Sequence, residues 1–241
     1  MRRLHIIVAL GLGLAAPGMA RAQAPGGATY WRSYRVTEGR EAEFREGYAR
    51  HLRWHLAHRD PWPWYVWEEI RGPETGTFIG AAMDRPWAEL DARPRPAEDA
   101  ADHARQIDPH VEPVFPASLL RRRPDLGGEL PPLEAAPFLA VIEVVVRPDR
   151  RAAFEAALRE AAGERGGRFG WFEVVVGGEE PAYLYLEPHP AASALGAFSA
   201  AGRLGRALDA VASMRTRLLR FLPELSSCQR AESRCLGVAG R

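Results

Sequence analysis

The chain has 241 residues, 26% of them charged, and its formal net charge is +1 at pH 7. A nearly neutral chain of this size argues against nucleic acid and against strongly anionic membrane surfaces as partners. All 32 basic residues are arginine, which also excludes enzymes that form a Schiff base through a lysine.

Residues 1–24 have the composition of an export signal. Two arginines precede an apolar stretch at residues 6–16, which is shorter than the roughly 20 residues that a membrane span requires. Cleavage after Ala22 or Ala24 would remove three arginines and no acid, which takes the net charge from +1 to −2. We therefore predict a periplasmic or secreted protein with no membrane span in its mature chain. An uncleaved anchor is the alternative, and the arginine pair leaves both general and twin-arginine export open.

The first half of the remaining chain predicts the order β, α, β, β, α, β. An aromatic and β-branched run predicts a strand over residues 30–36, and apolar spacings of three and four predict an amphipathic helix over residues 40–58. A turn rich in Gly and Pro separates the next two strands. The later elements are strands at 64–70 and 77–83, a helix from residue 86 that prolines interrupt and that resumes at 97–107, and a strand at 118–123.

The second half repeats this order after a Pro-rich linker at residues 127–137. A nearly continuous apolar strand covers residues 138–146, and residues 149–162 form a helix with Asp149 as its candidate N-cap. The later elements are strands at 171–176 and 182–187, a helical segment at 194–217, and a final stretch that contains Leu218, Leu219 and Arg220.

Matched positions in the two halves indicate an internal duplication. Phe44 corresponds to Phe154, and Trp64 to Trp171, with offsets of 110 and 107 residues. Short deletions in loops and helix ends explain the drift of this offset. The predicted domains are a first repeat at 28–126, the linker at 127–137, a second repeat at 138–225 and a tail at 226–241.

The order β, α, β, β, α, β is that of the ferredoxin-like split unit. Its four-stranded sheet carries both helices on one face, and two such sheets in one chain can cover each other's bare faces. On this order and repetition the chain resembles the dimeric α/β-barrel superfamily, as a fused tandem pseudo-dimer. The resemblance implies an α+β fold in which two tandem ferredoxin-like units pack sheet to sheet. Members include cofactor-free monooxygenases, heme-binding and heme-degrading enzymes and chlorite dismutases, so the resemblance leaves the activity open.

The first helix carries three histidines on one face. His51, His55 and His58 fall within about 60° of one another at 100° per residue, whereas the second repeat has an apolar stripe there. Imidazoles at i and i+4 can share a transition metal. The resemblance adds that a helix histidine can be an axial heme ligand. The alternative is structural, because histidines in the last turns of a helix interact favourably with its C-terminal dipole.

Aromatic residues form a second candidate constellation. Trp62, Trp64 and Trp67 lie at or near the second strand, where Trp64 and Trp67 face opposite sides of the sheet. Together with Tyr48 on the helix, such rings would suit the walls of a site for a small apolar or aromatic ligand. The alternative is core packing, since Trp171 recurs at the position that matches Trp64.

The tail contains both cysteines of the chain, Cys228 and Cys235. In an exported protein we expect them to form a disulfide that closes a small loop, because the spacing is not that of a redox motif.

Acids and histidines cluster in a span of twelve residues in and after the second helical stretch. This cluster could bind a metal at the surface, but the run is more typical of a solvated helix face. Its members are Asp99, Asp102, His103, Asp108 and His110.

The interpretation that these features favour is an exported protein that binds a small apolar or aromatic ligand in its first repeat. A heme-dependent or cofactor-free monooxygenase-like enzyme is the alternative, with His51 or His55 as ligand or base, and a structural or protein-binding module is the second alternative. No catalytic residue is assigned, the cofactor stays open between heme and a transition metal, and a homo-oligomer remains open. The candidate site residues are His51, His55, Trp62, Trp64, Trp67 and Tyr48 for the ligand, and His51, His55 and His58 for a metal.

Overall fold

The structure is a computed structural model that describes residues 26–113, 117–164, 167–228 and 234–238. The predicted export signal lies outside these residues. Within the described part of the chain, no helix combines the length and the apolar character that a membrane crossing requires.

The described chain is a mixture of strands, α-helices and short 3-10 turns. The strands are β1 (Ala28–Tyr34), β2 (Tyr65–Arg71), β3 (Phe78–Arg85), β4 (Ser118–Arg122), β5 (Phe138–Val146), β6 (Gly170–Val176), β7 (Ala182–His189), β8 (Val211–Phe221), β9 (Ser227–Cys228) and β10 (Gly237–Val238). The helices are α1 (Glu41–Ala57), α2 (Ala88–Asp91), α3 (Pro96–Gln106), α4 (Arg151–Glu164) and α5 (Ala200–Leu204).

Strands β1 to β8 close into one antiparallel barrel in the order β1-β3-β2-β8-β5-β7-β6-β4. The order contains two groups of four, β4-β1-β3-β2 and β8-β5-β7-β6, which join edge to edge. Trp67 of β2 lies opposite Phe221 of β8, and Arg122 of β4 lies opposite Phe172 of β6. Because both seams are paired, no strand of the barrel has an open edge.

The interior of the barrel is a packed apolar core. Trp31 and Trp67 stack there with ring centroids 6.1 Å apart, and Phe172, Leu120 and Phe221 belong to the same buried cluster. Each fully buried side chain of this size stabilises the fold by about 1.5–3 kcal/mol.

The helices lie on the outer face of the barrel. Phe44 of α1 packs against Phe78 of β3 with ring centroids 4.8 Å apart. In the second group of strands, Phe154 of α4 packs against Trp171 and Tyr183. Spacings of three and four along each helix place these apolar side chains on one stripe, so the opposite stripe is left for solvent.

The predicted strands and the first helix of each half are confirmed, with ends within two residues of the prediction. The helical segment predicted at 194–217 is wrong from Val211 onward, where the chain is already part of β8. Before that point the helical structure is broken into the 3-10 helix Ala192–Ala197, the α-helix Ala200–Leu204 and the 3-10 helix Gly205–Ala210. Strand β8 pairs with β5 from Phe138 to Val146, and this long register with a buried strand outweighs the local helical spacing.

The tail is fastened to the barrel. Cys228 and Cys235 form the predicted disulfide, and Cys228 is fully buried. Just before the bridge, the Trp64 N–H donates to Ser227 Oγ at 2.9 Å and the Val66 N–H donates to Ser226 Oγ at 2.9 Å. The tail therefore holds the start of β2 and the residue before it.

Candidate functional site

A cavity of about 690 Å³ lies between α1, α3 and the outer face of the barrel. Strand β1 forms part of its floor. Because side chains alternate along a strand, Trp31 is packed inside the barrel, whereas Tyr30, Arg32 and Tyr34 line the cavity. The volume lies in the range typical of sites for small molecules.

Aromatic rings form one wall of the cavity. The ring centroids of Trp62 and Trp64 are 6.0 Å apart, and Tyr30 meets Trp64 edge to face at 5.7 Å. The guanidinium of Arg93 lies 4.3 Å from the ring centre of Trp62. Such a wall offers ring faces and edges to a planar apolar group.

Arg32 brings a cation to the floor of the cavity. Its guanidinium carbon lies 5.1 Å from the ring centre of Tyr34. Its buried Nε has no hydrogen-bond partner within the part of the chain that the structure describes. A buried donor without an acceptor costs about 1–3 kcal/mol, so a ligand oxygen at this position would be stabilising.

A pair of histidines on α1 lines the cavity. His51 and His55 are one helical turn apart, and their Nε2 atoms face each other at 3.2 Å. The other nitrogen of each ring faces a carboxylate: His51 Nδ1 lies 2.9 Å from Asp102 Oδ2, and His55 Nδ1 lies 2.8 Å from Asp60 Oδ2. All four side chains are buried.

Asp99 of α3 completes the cluster. Its Oδ1 lies 3.5 Å from His51 Nε2 and 3.4 Å from His55 Nε2. Two imidazoles and one carboxylate therefore converge on a single point at the cavity surface. This donor set is one that divalent transition metals accept.

Arginines hold the three carboxylates in place. Arg93 donates to Asp60 at 2.8 and 2.9 Å and to Asp99 Oδ2 at 3.1 Å, and Arg105 donates to Asp102 Oδ1 at 2.6 Å. Each acid therefore has one oxygen or more tied to a cation. The oxygen of Asp99 that faces the histidines is the one that Arg93 does not hold.

The protonation states follow from these contacts. Burial alone would raise the pKa of Asp60, but the hydrogen bond from His55 and the charge of Arg93 lower it to about 2. Burial and the neighbouring His55 lower the pKa of His51, against the opposing effect of Asp102. Burial and then Arg32 lower the pKa of His103 to about 4, so this ring is neutral at pH 7.

The structure brings five of the seven predicted site residues to the cavity: Tyr48, His51, His55, Trp62 and Trp64. It does not bring His58 there. His58 follows the end of α1, where its Nδ1 donates to the Trp54 carbonyl at 2.7 Å. Trp67 also lies elsewhere, because its alternate position in β2 points it into the barrel against Trp31.

Sequence reasoning missed the acids that surround the histidines. The cluster on α3 reads as a solvated face, yet Asp102 is buried and Asp99 and His103 line the cavity. The spacing i, i+3, i+4 of these three residues was the available signal, since it places them on one face of a helix. Asp60 and Arg93 lie in connecting segments and gave no such signal.

The residues present do not fit an axial heme ligand. Such a ligand needs an Nε2 with free space around the axis that joins it to the iron. Here the Nε2 atoms of His51 and His55 obstruct each other at 3.2 Å, and Asp99 Oδ1 stands within 3.5 Å of both. A porphyrin plane on either nitrogen would overlap the other two atoms.

No protein-family profile matches the sequence, and no curated protein matches it either. Solved structures do resemble the chain. A candidate monooxygenase from Fusobacterium nucleatum subsp. nucleatum ATCC 25586 aligns with a TM-score of 0.60 and 9% identity over 83% of this chain and 94% of that one. A candidate monooxygenase from Lactobacillus acidophilus NCFM aligns with a TM-score of 0.54 and 10% identity over 82% of this chain and 93% of that one. Chlorite dismutase from Candidatus Nitrospira defluvii aligns with a TM-score of 0.52 and 10% identity over 81% of this chain and 91% of that one.

Identities this low bear on the fold alone. The chain therefore shares its α+β fold with these solved structures, and its closed antiparallel barrel is consistent with the dimeric α/β-barrel fold.

Proposed function

We propose that the protein binds a small aromatic carboxylate in the cavity between α1, α3 and the barrel. The observation that carries the proposal is the combination, in one cavity of about 690 Å³, of an aromatic wall with the unpartnered buried Nε of Arg32. Trp62, Trp64 and Tyr30 offer ring faces and edges to an apolar ring.

The unpartnered donor of Arg32 favours an acid over a neutral ligand. Arg93 is already engaged by Asp60 and Asp99, whereas Arg32 keeps a buried donor for an incoming oxygen. Carboxylates match the planar guanidinium, and hydrogen bonds between charged groups are about twice as strong as neutral ones.

Quenching of tryptophan fluorescence tests the proposal with three matched probes. Benzoate supplies both ring and charge, benzamide the ring alone, and cyclohexanecarboxylate the charge without the aromatic face. We expect benzoate to bind most tightly. Arg32→Gln should weaken benzoate by about tenfold or more and leave benzamide nearly unchanged, since a hydrogen bond to a charged group contributes about 1.5–3 kcal/mol. Arg206→Gln, at a largely exposed arginine, is the control.

Two results would contradict this assignment. Equal affinity for benzoate and benzamide would show that Arg32 does not select charge. No quenching by any of the three probes would favour the structural or protein-binding alternative.

A monooxygenase-like enzyme is the second candidate function. It is supported by the pairs His51–Asp102 and His55–Asp60, because a carboxylate that fixes the tautomer of an imidazole is a frequent arrangement around a general base. Oxygen uptake in the presence of a bound aromatic acid tests it. We expect His51→Gln to abolish uptake and to preserve fluorescence quenching; uptake that survives this substitution would remove His51 from the chemistry.

We infer further that the protein is exported and that residues 1–24 are removed. The composition of that segment supports this, as does the disulfide between Cys228 and Cys235, because disulfides persist in oxidising compartments. N-terminal sequencing of protein from the periplasmic fraction is the test, and an intact Met1 would contradict cleavage.

We also infer that residues 28–126 and 138–225 are two duplicated ferredoxin-like units joined by the linker at 127–137. The equal strand orders β4-β1-β3-β2 and β8-β5-β7-β6 support this, as do the equivalent places of Phe44 and Phe154 against the barrel. A crystal structure in which the two halves fail to superpose would contradict it.

A further inference from the structure

We infer that His51 Nε2, His55 Nε2 and Asp99 Oδ1 bind one divalent transition-metal ion of the Zn²⁺ or Fe²⁺ class. The site does not depend on the aromatic carboxylate, because its ligands come from the protein alone. It lies where α1 faces α3, at the surface of the cavity.

Three hydrogen-bond acceptors meet at this point with no proton between them. Asp60 and Asp102 can only accept hydrogen bonds when ionised, so the Nδ1 of each histidine carries the proton that faces its carboxylate. Both Nε2 atoms of the neutral rings are then bare lone pairs. They face each other at 3.2 Å with a carboxylate oxygen beside them, so three acceptors converge without a donor between them.

A cation at the centre of these atoms removes the conflict. A proton shared by the two Nε2 atoms is the competing arrangement, and titration with metal distinguishes it from a bound ion. A divalent ion supplies the positive charge without protonating either ring.

The distances agree with a shared ion. Zn²⁺ binds imidazole nitrogen at about 2.0–2.1 Å, so two ligands of a tetrahedral ion stand about 3.3 Å apart. The three separations here are 3.2, 3.4 and 3.5 Å. A point about 2 Å from all three atoms therefore exists, which is the bond length such an ion requires.

The residues around the three ligands are those expected in the outer shell of a metal site. Histidines that bind metals usually donate their second nitrogen to a carboxylate or carbonyl, which fixes the tautomer and the ring orientation. Asp102 accepts from His51 Nδ1 in this way, and Asp60 Oδ2 stands 2.8 Å from His55 Nδ1. Arg93 holds the remaining oxygen of Asp99 and leaves Oδ1 directed at the histidines.

The ligand set also indicates the kind of site. Three protein ligands leave at least one coordination position, and the residues that supply them line the cavity, so that position is accessible from it. Imidazole with carboxylate suits Zn²⁺, Fe²⁺ and Co²⁺ better than Ca²⁺ or Mg²⁺, which prefer oxygen ligands alone.

Titration of the chelator-treated full chain with Co²⁺ and Zn²⁺ tests the inference. Cobalt reports its own coordination through visible d–d absorption, and calorimetry with Zn²⁺ gives the stoichiometry. We expect one ion per chain, and a melting temperature that rises with metal concentration because only the folded state presents the three ligands together.

Variants distinguish metal binding at this site from nonspecific metal binding by other histidines. The double variant His51→Gln with His55→Gln, and the single variant Asp99→Asn, should lose stoichiometric binding. Asp102→Asn removes only an orienting group and should weaken binding by about 10- to 100-fold. His58→Gln is the matched control, since His58 lies on the same helix end but outside the cavity.

The outcome that overturns the inference is a Zn²⁺ affinity of the unaltered protein no greater than that of the double variant. An equal loss on His58→Gln would also overturn it, as would no visible Co²⁺ spectrum, and a shared proton would then occupy the cluster. Benzoate binding by the metal-free protein is measured separately, so this inference and the proposed function can fail independently. Circular dichroism of each variant shows whether a loss of binding reflects a loss of fold.

Discussion

At the scale of single residues, Asp60 links the histidine pair to the aromatic wall. One oxygen accepts from the Trp62 N–H at 3.0 Å, and the other accepts from Trp64 Nε1 at 3.1 Å and faces His55 Nδ1. Arg93 donates to both oxygens. A single buried carboxylate therefore fixes an imidazole, an indole and a guanidinium at once.

Replacing this carboxylate should be costly. We expect Asp60→Asn to lower the free energy of unfolding by about 3 kcal/mol, because breaking a buried ion pair is strongly destabilising. Arg93, with only 14% of its side chain exposed, would keep Asp99 as its carboxylate partner but lose both bonds to Asp60. Urea denaturation measures the change, and Asp91→Asn at an exposed position is the control. An unchanged midpoint would mean that Asp60 does not anchor Arg93.

At the scale of elements, the site depends on the close approach of α1 and the end of α3. A Cβ built on Gly47 would lie 1.9 Å from the carbonyl oxygen of Gln106. Only glycine allows this contact without a shift of backbone, and the contact sets the distance at which α3 presents Asp99 to His51 and His55.

Gly47→Ala should therefore destabilise the protein, which is the opposite of its usual effect in a helix. In an open helix this change is stabilising by up to about 1 kcal/mol, but here the added methyl must push α3 away. We expect a lower melting temperature and a weaker Co²⁺ spectrum. Gly196→Ala, where no atom lies within 4 Å of the new Cβ, should change neither. A more stable Gly47→Ala protein would show that α3 can move away from α1 without a loss of stability.

The attachment of α4 to the barrel depends on the charge of Glu155. Hydrogen bonds from Arg123 lower the pKa of Glu155, helped by Tyr183 and opposed by burial. A depressed pKa means that the contribution to stability is present above the usual value of 4.5 and is lost as the pH falls below it. Glu155→Gln should cost about 2 kcal/mol at pH 7, and the difference from the parent should shrink below pH 4.5. Urea midpoints across pH 3–7 measure this, with exposed Glu160→Gln as the control.

The elements show what a single sequence can and cannot predict. Helix α1 and strand β5 follow from local spacing, because each carries an apolar pattern over many residues. Strand β8 does not, since its first half is specified by pairing with β5, a contact between positions far apart in sequence. The histidine pair is a local feature and was predicted, whereas Asp60 and Asp99 reach it only through the packing of three segments.

At the scale of the whole molecule, the barrel makes one mechanical unit of the two groups of strands. The seam between β2 and β8 and the seam between β4 and β6 are both hydrogen-bonded, and side chains from both groups fill one interior. Neither group could separate without exposing Trp67 and Phe172 to water.

The chain should accordingly unfold in a single transition. Tryptophan fluorescence, to which the first group contributes most of the indoles, and far-UV circular dichroism, which reports on both groups, should give coincident urea curves. Two separated transitions would indicate that each group is stable alone and that the seams contribute little. The disulfide must stay intact in this experiment, since its reduction would add a second process.

The disulfide between Cys228 and Cys235 affects how firmly the wall of the cavity is held. The two serines just before it accept hydrogen bonds from the N–H groups of Trp64 and Val66, so the bridge restrains the segment that holds the backbone of one indole of that wall. Where thiols are oxidised, the bridge restricts the serines that accept these hydrogen bonds; where thiols are reduced, the same hydrogen bonds act without that restraint. The rigidity of the pocket is in this way coupled to the redox chemistry of its surroundings.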